Sequence, residues 1–152
     1  MNKSSFGYVI YVHGTAEQVW KGLVDPELTR RYWFHENVSD WQQGSEWIHR
    51  RTDSAAGKVD IVGHVLEVDP PHRLVLSWAP PEAATEPAKH SRVSFEISSQ
   101  DDWPHGPWVG LRVFHSELEP NSEMLDSITF GWPAVLSGLK SILEQPEIFT
   151  SG

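Results

Sequence analysis

The chain contains no cysteine and no apolar run long enough to span a membrane. The missing cysteines exclude disulfide bonds, a thiol nucleophile and any zinc site built on thiolates. The N-terminus also lacks the basic segment followed by an apolar segment that is typical of a secretory leader. We therefore expect a cytoplasmic protein without a membrane span.

Basic residues are scarce, because 12 lysines and arginines stand against 21 acidic residues and give a formal net charge of −9. Such a charge repels phosphate backbones and anionic lipid headgroups. The basic clusters at Arg30-Arg31 and His49-Arg50-Arg51 are too short to reverse this effect. A nucleic acid is therefore not an expected partner, and the aromatic residues described below favour a small hydrophobic molecule instead.

Recognisable catalytic and cofactor motifs are missing as well. There is no G-x-S-x-G sequence, no phosphate-binding loop and no dinucleotide fingerprint. The chain has eight histidines, but none are paired at the spacing of two or four residues that would put two metal ligands on one strand or helix face. The sequence thus predicts no metal, no cofactor and no catalytic residue.

Tryptophan is what the chain has in excess, with eight residues in 152. A chain of this length folds as one domain and buries roughly 68–70% of its unfolded surface. Any single tryptophan more often fills a core than contacts a ligand. However, Trp33, Trp47, Trp78 and Trp132 come from different predicted elements and share inward faces, which together predicts an aromatic pocket.

The order of predicted elements begins with a strand over residues 6–12. Thr15 has capping-box spacing to Gln18 and starts a short helix, and Asp25 with Pro26 starts a second one. Strands follow, including a hairpin over residues 63–78 that turns at two consecutive prolines.

The C-terminal pattern changes to a helical period from residue 124 or 125 to residue 143. Gly131 and Pro133 interrupt it, which predicts a kink or a helix start near Trp132. Before it, residues 79–90 contain three prolines and four alanines without periodicity. We expect this segment to be mobile, to have few apolar anchors and to control access to the pocket.

These elements resemble a known family in their order and spacing. Val19-Trp20, Asp25-Pro26-Glu27-Leu28 and Arg31-Tyr32-Trp33-Phe34 resemble its opening segment. Gly63 to Trp78 resembles its central hairpin, Leu111 to Leu118 its last strand, and Gly131-Trp132 to Glu144 its closing helix. The family is the activator of heat-shock-protein ATPase homologue-like group of the START-like (SRPBCC) superfamily, and the resemblance spans about Tyr8 to Glu144.

The resemblance implies an α+β helix-grip (START-like) fold. A curved antiparallel sheet would wrap around a long C-terminal helix, with two short helices after strand 1 at one end. It implies a single START-like domain over residues 1–152 with a core of about 6–145. Two features depart from the family: His49 occupies a strand position that is usually apolar or aromatic, and the 79–90 segment is long.

The predicted ligand-binding residues are those that strand parity and the resemblance place on inward faces: Trp33, Trp47, His49, His64, Trp78, Phe95, His115 and Trp132. In this prediction His49 and His115 supply the polar groups that orient a ligand. The alternative for both is a buried histidine whose hydrogen bonds are satisfied within the core.

Three functions compete at this point. We favour non-enzymatic binding of a small apolar or aromatic ligand in an internal cavity. The second is an enzyme of the cyclase or hydrolase type, in which His49, His64 or His115 acts as general acid or base. The third is a protein-interaction module that contacts a chaperone.

Overall fold

The computed structural model describes residues 2–53, 55–100, 104 and 106–145. One strand and two short helices precede six further strands and a long helix. In chain order these are β1 (Ser4–His13), α1 (Ala16–Val24), α2 (Pro26–Trp33), β2 (His35–Val38), β3 (Glu46–Arg51), β4 (Val59–Asp69), β5 (Arg73–Trp78), β6 (Ser91–Gln100), β7 (Trp108–Leu118) and α3 (Glu123–Leu143).

The seven strands form one curled antiparallel sheet in the order β1-β7-β6-β5-β4-β3-β2. Helix α3 lies on its concave side and buries Ile128, Trp132, Leu136 and Leu139. Its closest packing is against the edge strand β1 and against α2. The predicted α+β helix-grip fold is therefore confirmed. None of the helices among the described residues is long and apolar enough to cross a membrane.

Both short helices begin where the capping residues predict. The Gln18 amide donates to Thr15 Oγ1 at 3.2 Å, and the Thr15 amide donates to Gln18 Oε1 at 2.9 Å, which completes a capping box. Asp25 Oδ1 accepts from the Glu27 amide at 2.9 Å, with Pro26 at the first helical position. A cap of this kind stabilises a helix by about 1 kcal/mol.

Helix α3 contradicts the alternative of a helix start near Trp132, because it begins at Glu123 and continues through Pro133. A kink at this position stays a prediction. Proline removes the amide that would donate to the carbonyl of Thr129, four residues earlier. Thr129 is exposed, so water can satisfy that carbonyl. The helix is then maintained by the apolar stripe that it buries against the sheet.

Strand β2 was missed by the sequence reading, which places no strand between α2 and β3. Its four residues pair with β3 from His35↔Arg51 to Val38↔Ile48. The run His-Glu-Asn-Val is mostly polar and too short to show an alternating pattern. Pairing with β3 imposes the extended conformation in spite of the composition.

Residues 79–90 are held mainly by backbone hydrogen bonds and one histidine contact. They contain two single-turn 3₁₀ helices, Pro81–Ala83 and Pro87–Lys89. Ala79 exchanges two backbone hydrogen bonds with β4, and the side chains of Ala79 and Ala83 are buried. The His90 ring contacts the Ala83 carbonyl at 3.0 Å. Ala79 and Ala83 are its only buried residues and residues 84–89 are exposed, so the expectation of few apolar anchors is met. Mobility of the segment and its control of access stay predictions.

The free side of edge strand β1 is partly covered by the C-terminal end of α3. Lys140 Nζ donates to the Tyr11 carbonyl at 2.7 Å, and Glu144 accepts from the His13 amide at 2.6 Å. These two side chains also contact each other at 2.7 Å. Charged groups on an edge strand discourage pairing with another chain.

Gly63 allows an unusually close approach between three strands. The Trp47 indole crosses it to donate to the Ser77 carbonyl at 2.8 Å. A Cβ atom at position 63 would lie 1.8 Å from the Ser77 carbonyl oxygen and 2.6 Å from Trp47 Nε1. No side chain other than hydrogen fits between β3, β4 and β5 at this point.

We predict that Gly63→Ala destabilises the protein by about 3 kcal/mol, because the clash is with backbone that cannot turn away. Gly131→Ala is the matched control, since a Cβ at that helical position meets nothing within 4 Å. It should stabilise by about 0.5–1 kcal/mol. Urea unfolding of both variants tests this, and equal midpoints for Gly63→Ala and the unsubstituted chain would refute the close-approach argument.

Candidate functional site

A groove of about 360 Å³ opens between α3 and the strands β3 and β4, with the ends of α2 and β2 at one side. We call it the aromatic groove. Its walls are mainly apolar, and a few polar side chains converge on it. The lining residues are Trp33, His35, His49, Asp60, Ile61, Trp78, Met124, Ser127, Ile128, Gly131, Trp132 and Val135.

Trp132 is the centre of the aromatic packing beside this groove. Its ring centroid lies 5.5 Å from that of Trp33 and 5.4 Å from that of Trp78. Phe95 and His115 pack on it from the sheet at 5.6 and 6.0 Å. Aromatic pairs at these separations contribute about 0.5–1.5 kcal/mol each beyond their buried area. The concave side is therefore filled near Trp132, and the aromatic groove opens beside it.

The predicted ligand-binding residues separate into three groups. The first lines the aromatic groove and comprises Trp33, His49, Trp78 and Trp132. The second lies buried behind it: Trp47 packs on Trp78 at 5.4 Å, and Phe95 and His115 lie beneath Trp132. His64 forms the third group, because it is exposed and borders a different depression with Glu46 and His90. The expectation that all eight line one cavity is therefore not met, because only the first group lines the aromatic groove and Trp47 borders the depression of His64. Ligand binding by any of the eight stays a prediction.

His115 uses both ring nitrogens within the core. The Ser91 hydroxyl donates to the Trp78 carbonyl at 3.1 Å, so Ser91 Oγ accepts from His115 Nε2 at 2.7 Å. His115 Nδ1 then accepts from Trp132 Nε1 at 3.1 Å. Burial lowers the pKa of His115 to about 3, so the ring is neutral. This matches the alternative of a satisfied core histidine, with no ring atom left for a ligand.

His49 is oriented differently and leaves one ring nitrogen unused. Asn37 Nδ2 donates to the Leu23 carbonyl at 3.2 Å, which fixes Asn37 Oδ1 as an acceptor for His49 Nδ1 at 2.6 Å. His49 Nε2 then carries the lone pair and has no hydrogen-bond partner among the described residues. Burial, and secondly the charge of His35, hold the pKa of His49 well below its usual value. The neutral ring therefore presents an acceptor to the aromatic groove.

His35 and Asp60 were not predicted, and both line the aromatic groove. His35 stacks on His49 with 3.9 Å between centroids and 2° between planes. Its Nδ1 lies 2.8 Å from the Trp33 carbonyl, and its Nε2 lies 2.8 Å from Asp60 Oδ2. Both ring nitrogens of His35 are therefore engaged within the protein. The pairing of β2 with β3 that brings His35 onto His49 could not be read from the polar sequence of β2.

The Trp78 indole N–H is the one buried side-chain polar atom without a partner in the part of the chain that is described. Its side chain is only 6% exposed and lines the aromatic groove. An unsatisfied buried donor costs about 1–3 kcal/mol. Such a cost is expected where a ligand supplies the missing acceptor.

A second depression of about 440 Å³ lies on the outer face of the sheet. Polar and charged residues are the majority of its lining, including Arg73, Glu96 and Arg112, and Arg73 is ion-paired to Glu96 at 3.0 Å. This composition does not suit an apolar ligand. No group of three or more histidine, aspartate or glutamate residues within the described ranges is arranged to hold a metal ion.

The curled sheet, the closing helix and the groove between them define a helix-grip protein. Residues 13–144 match the model of the family described as Activator of Hsp90 ATPase homolog 1-like protein, so the chain belongs to this family. Comparison with curated proteins gives no match.

Solved structures with similar folds come from several organisms. A Mesorhizobium loti protein has a TM-score of 0.74 at 23% identity, covering 93% of this chain and 98% of its own. CalU16 from Micromonospora echinospora has a TM-score of 0.69 at 23% identity, with 97% and 80% covered. An HSP90 activator from Plasmodium falciparum has a TM-score of 0.71 at 20% identity, with 93% and 97% covered. At these identities the similarity establishes the fold alone.

We predict that stability falls as pH decreases from about 6.5, the unfolded-state pKa of histidine. The folded protein keeps His49 and His115 neutral, whereas the unfolded chain binds these protons. Each residue should cost up to about 1.4 kcal/mol per pH unit. For His115 the loss continues down to its folded pKa of about 3.

Urea unfolding at pH 7.0 and pH 5.5 measures this loss before most carboxylates titrate. His64→Gln is the control and should show the same loss, because this side chain is exposed. His115→Gln should show a smaller one. A free energy of unfolding that is equal at both pH values would contradict the buried neutral histidines.

Proposed function

We propose that this protein binds a small, largely apolar or aromatic molecule in the aromatic groove. The observation that carries the proposal is the composition of the walls. Three indole rings and the side chains of Ile61, Ile128 and Val135 surround about 360 Å³ of space. Small-molecule sites have this character: they are concave, about 300–1,000 Å³ in volume and mostly apolar, with a few convergent polar groups.

The geometry also limits the enzymatic alternative. General acid–base catalysis requires a titratable group within hydrogen-bond reach of the bound molecule. His115 is fully buried with both nitrogens bonded, and His64 lies outside the aromatic groove. Of the three histidines considered for that role, only His49 borders the groove. Binding needs none of these proton transfers, and it is the function we favour.

The chaperone reading derives from the description of the family and from the Plasmodium falciparum protein, whose name records HSP90 activation. That activity belongs to the relative. For this chain we keep it as the competing outcome of the binding test. A chaperone-contact module would not require a ligand in the aromatic groove.

We predict that Gly131→Leu abolishes or weakens ligand binding at least tenfold without loss of stability. Gly131 lines the aromatic groove, and a Cβ there meets nothing within 4 Å. A leucine side chain would therefore occupy ligand space, while leucine is a better helix former than glycine. Tenfold corresponds to about 1.4 kcal/mol of binding free energy.

Saturable quenching of tryptophan fluorescence by N-phenyl-1-naphthylamine measures the binding. Ala134→Leu is the matched control, because Ala134 is exposed on the same helix and does not line the groove. It should bind like the unsubstituted chain. Unchanged binding by Gly131→Leu, or no saturable binding of a broad panel of neutral aromatic probes, would refute the proposal. The second result would favour the interaction module.

A further inference from the structure

Two side chains that line the aromatic groove carry unsatisfied hydrogen-bonding groups of opposite kind. His49 Nε2 is an acceptor with no partner among the described residues, and Trp78 Nε1 is a donor that is buried without one. The two rings are close, with 5.8 Å between centroids, and both side chains line the groove. One ligand atom that both donates and accepts can serve the two groups together.

We propose that the ligand of the aromatic groove carries a hydroxyl group on its aromatic or apolar body, as a phenol does, and that this group binds between His49 and Trp78. The hydroxyl hydrogen donates to His49 Nε2, and the hydroxyl oxygen accepts from Trp78 Nε1. This inference rests on the proposed binding function and names the chemical class of its ligand.

The role of His49 as an acceptor is imposed from behind by a buried chain of hydrogen bonds. The Leu23 carbonyl oxygen can only accept a hydrogen bond, so the Asn37 group that faces it must be the NH₂. The amide oxygen of Asn37 is thereby turned to His49 Nδ1, which must carry the hydrogen. Thr29 Oγ1 further fixes β2 by accepting from the Asn37 backbone amide at 3.1 Å. Second partners of this kind commonly decide which nitrogen of a histidine faces the ligand.

Other ligand groups fit this pair less well. An ether or a ketone accepts but cannot donate to His49 Nε2, and an ammonium group donates but has no lone pair for the Trp78 indole. A carboxylate would approach Asp60, which lines the same groove, on a chain with a net charge of −9. A hydroxyl group combines both properties in one uncharged atom.

His35 completes the arrangement as a positioning residue. Its ring lies parallel to His49 at 3.9 Å and is bonded at both nitrogens, to the Trp33 carbonyl and to Asp60. It therefore packs on the face of the His49 ring without competing for Nε2. The Trp78 N–H is buried, so a hydroxyl group reaches it only when the neighbouring rings move.

The test compares 2-naphthol with 2-methoxynaphthalene at pH 7 by calorimetry. The two molecules share the same ring system, but only the naphthol donates a hydrogen bond. We expect naphthol to bind at least tenfold more tightly to the unsubstituted chain. In His49→Phe, which retains a ring of similar shape, the ratio should fall to about one. In the control His64→Phe it should stay unchanged, because His64 is outside the groove.

The two failures are distinguishable. Equal binding of both molecules would overturn the hydroxyl inference and leave the proposed binding function intact, whereas binding of neither would overturn both. If His49→Phe does not fold, ¹⁵N NMR of the unsubstituted chain still decides. The inference requires hydrogen on His49 Nδ1 and a change in the Nε2 shift with naphthol but not with its methyl ether. Hydrogen found on Nε2 in the free protein would refute it.

Discussion

Trp132 connects helix α3 to the sheet by ring packing and by one directional hydrogen bond. Its indole ring packs against Trp33, Trp78 and Phe95. The indole N–H of Trp132 donates a hydrogen bond to His115 Nδ1. Packing alone would allow the helix to slide or rotate, because apolar contact is not directional. The bond to His115 fixes the helix against β7, and the shape of the aromatic groove depends on that position.

Polar groups this deep are tolerated only when each is paired. His115, Ser91 and the Trp78 carbonyl form one satisfied chain, and Asn37 with the Leu23 carbonyl forms another that ends at His49. In the first chain every hydrogen-bonding group is paired with another group of the protein. The second ends at an unpaired nitrogen beside the aromatic groove, and the unpaired Trp78 N–H lies next to it. This difference separates a structural histidine from one that is available to a ligand.

Much of the fold could be predicted because its signals are local. The caps at Thr15 and Asp25, the alternation of β3 to β7 and the apolar stripe of α3 each depend on nearby residues. The errors have long-range causes: β2 is extended because it pairs with β3, and α3 continues through Pro133 because its stripe is buried. For the site, the alternation of side chains along β3 correctly predicted that Trp47 and His49 face inward. It could not tell that Trp47 lies behind Trp78, or that His35 reaches His49 from another strand.

The location of the groove follows from the mismatch between one helix and a curved sheet of seven strands. Helix α3 packs mainly toward β1 and α2, and its C-terminal end also covers the β1 edge through Lys140 and Glu144. The N-terminal half is therefore left facing β3 and β4 across open space, with Gly131 adding room at the helix surface. Large indole rings narrow this space from its inner end without closing it. The aromatic groove is thus a consequence of the same packing that holds the fold together, and the two unpaired atoms of its lining side chains are the groups through which we propose that it selects a ligand.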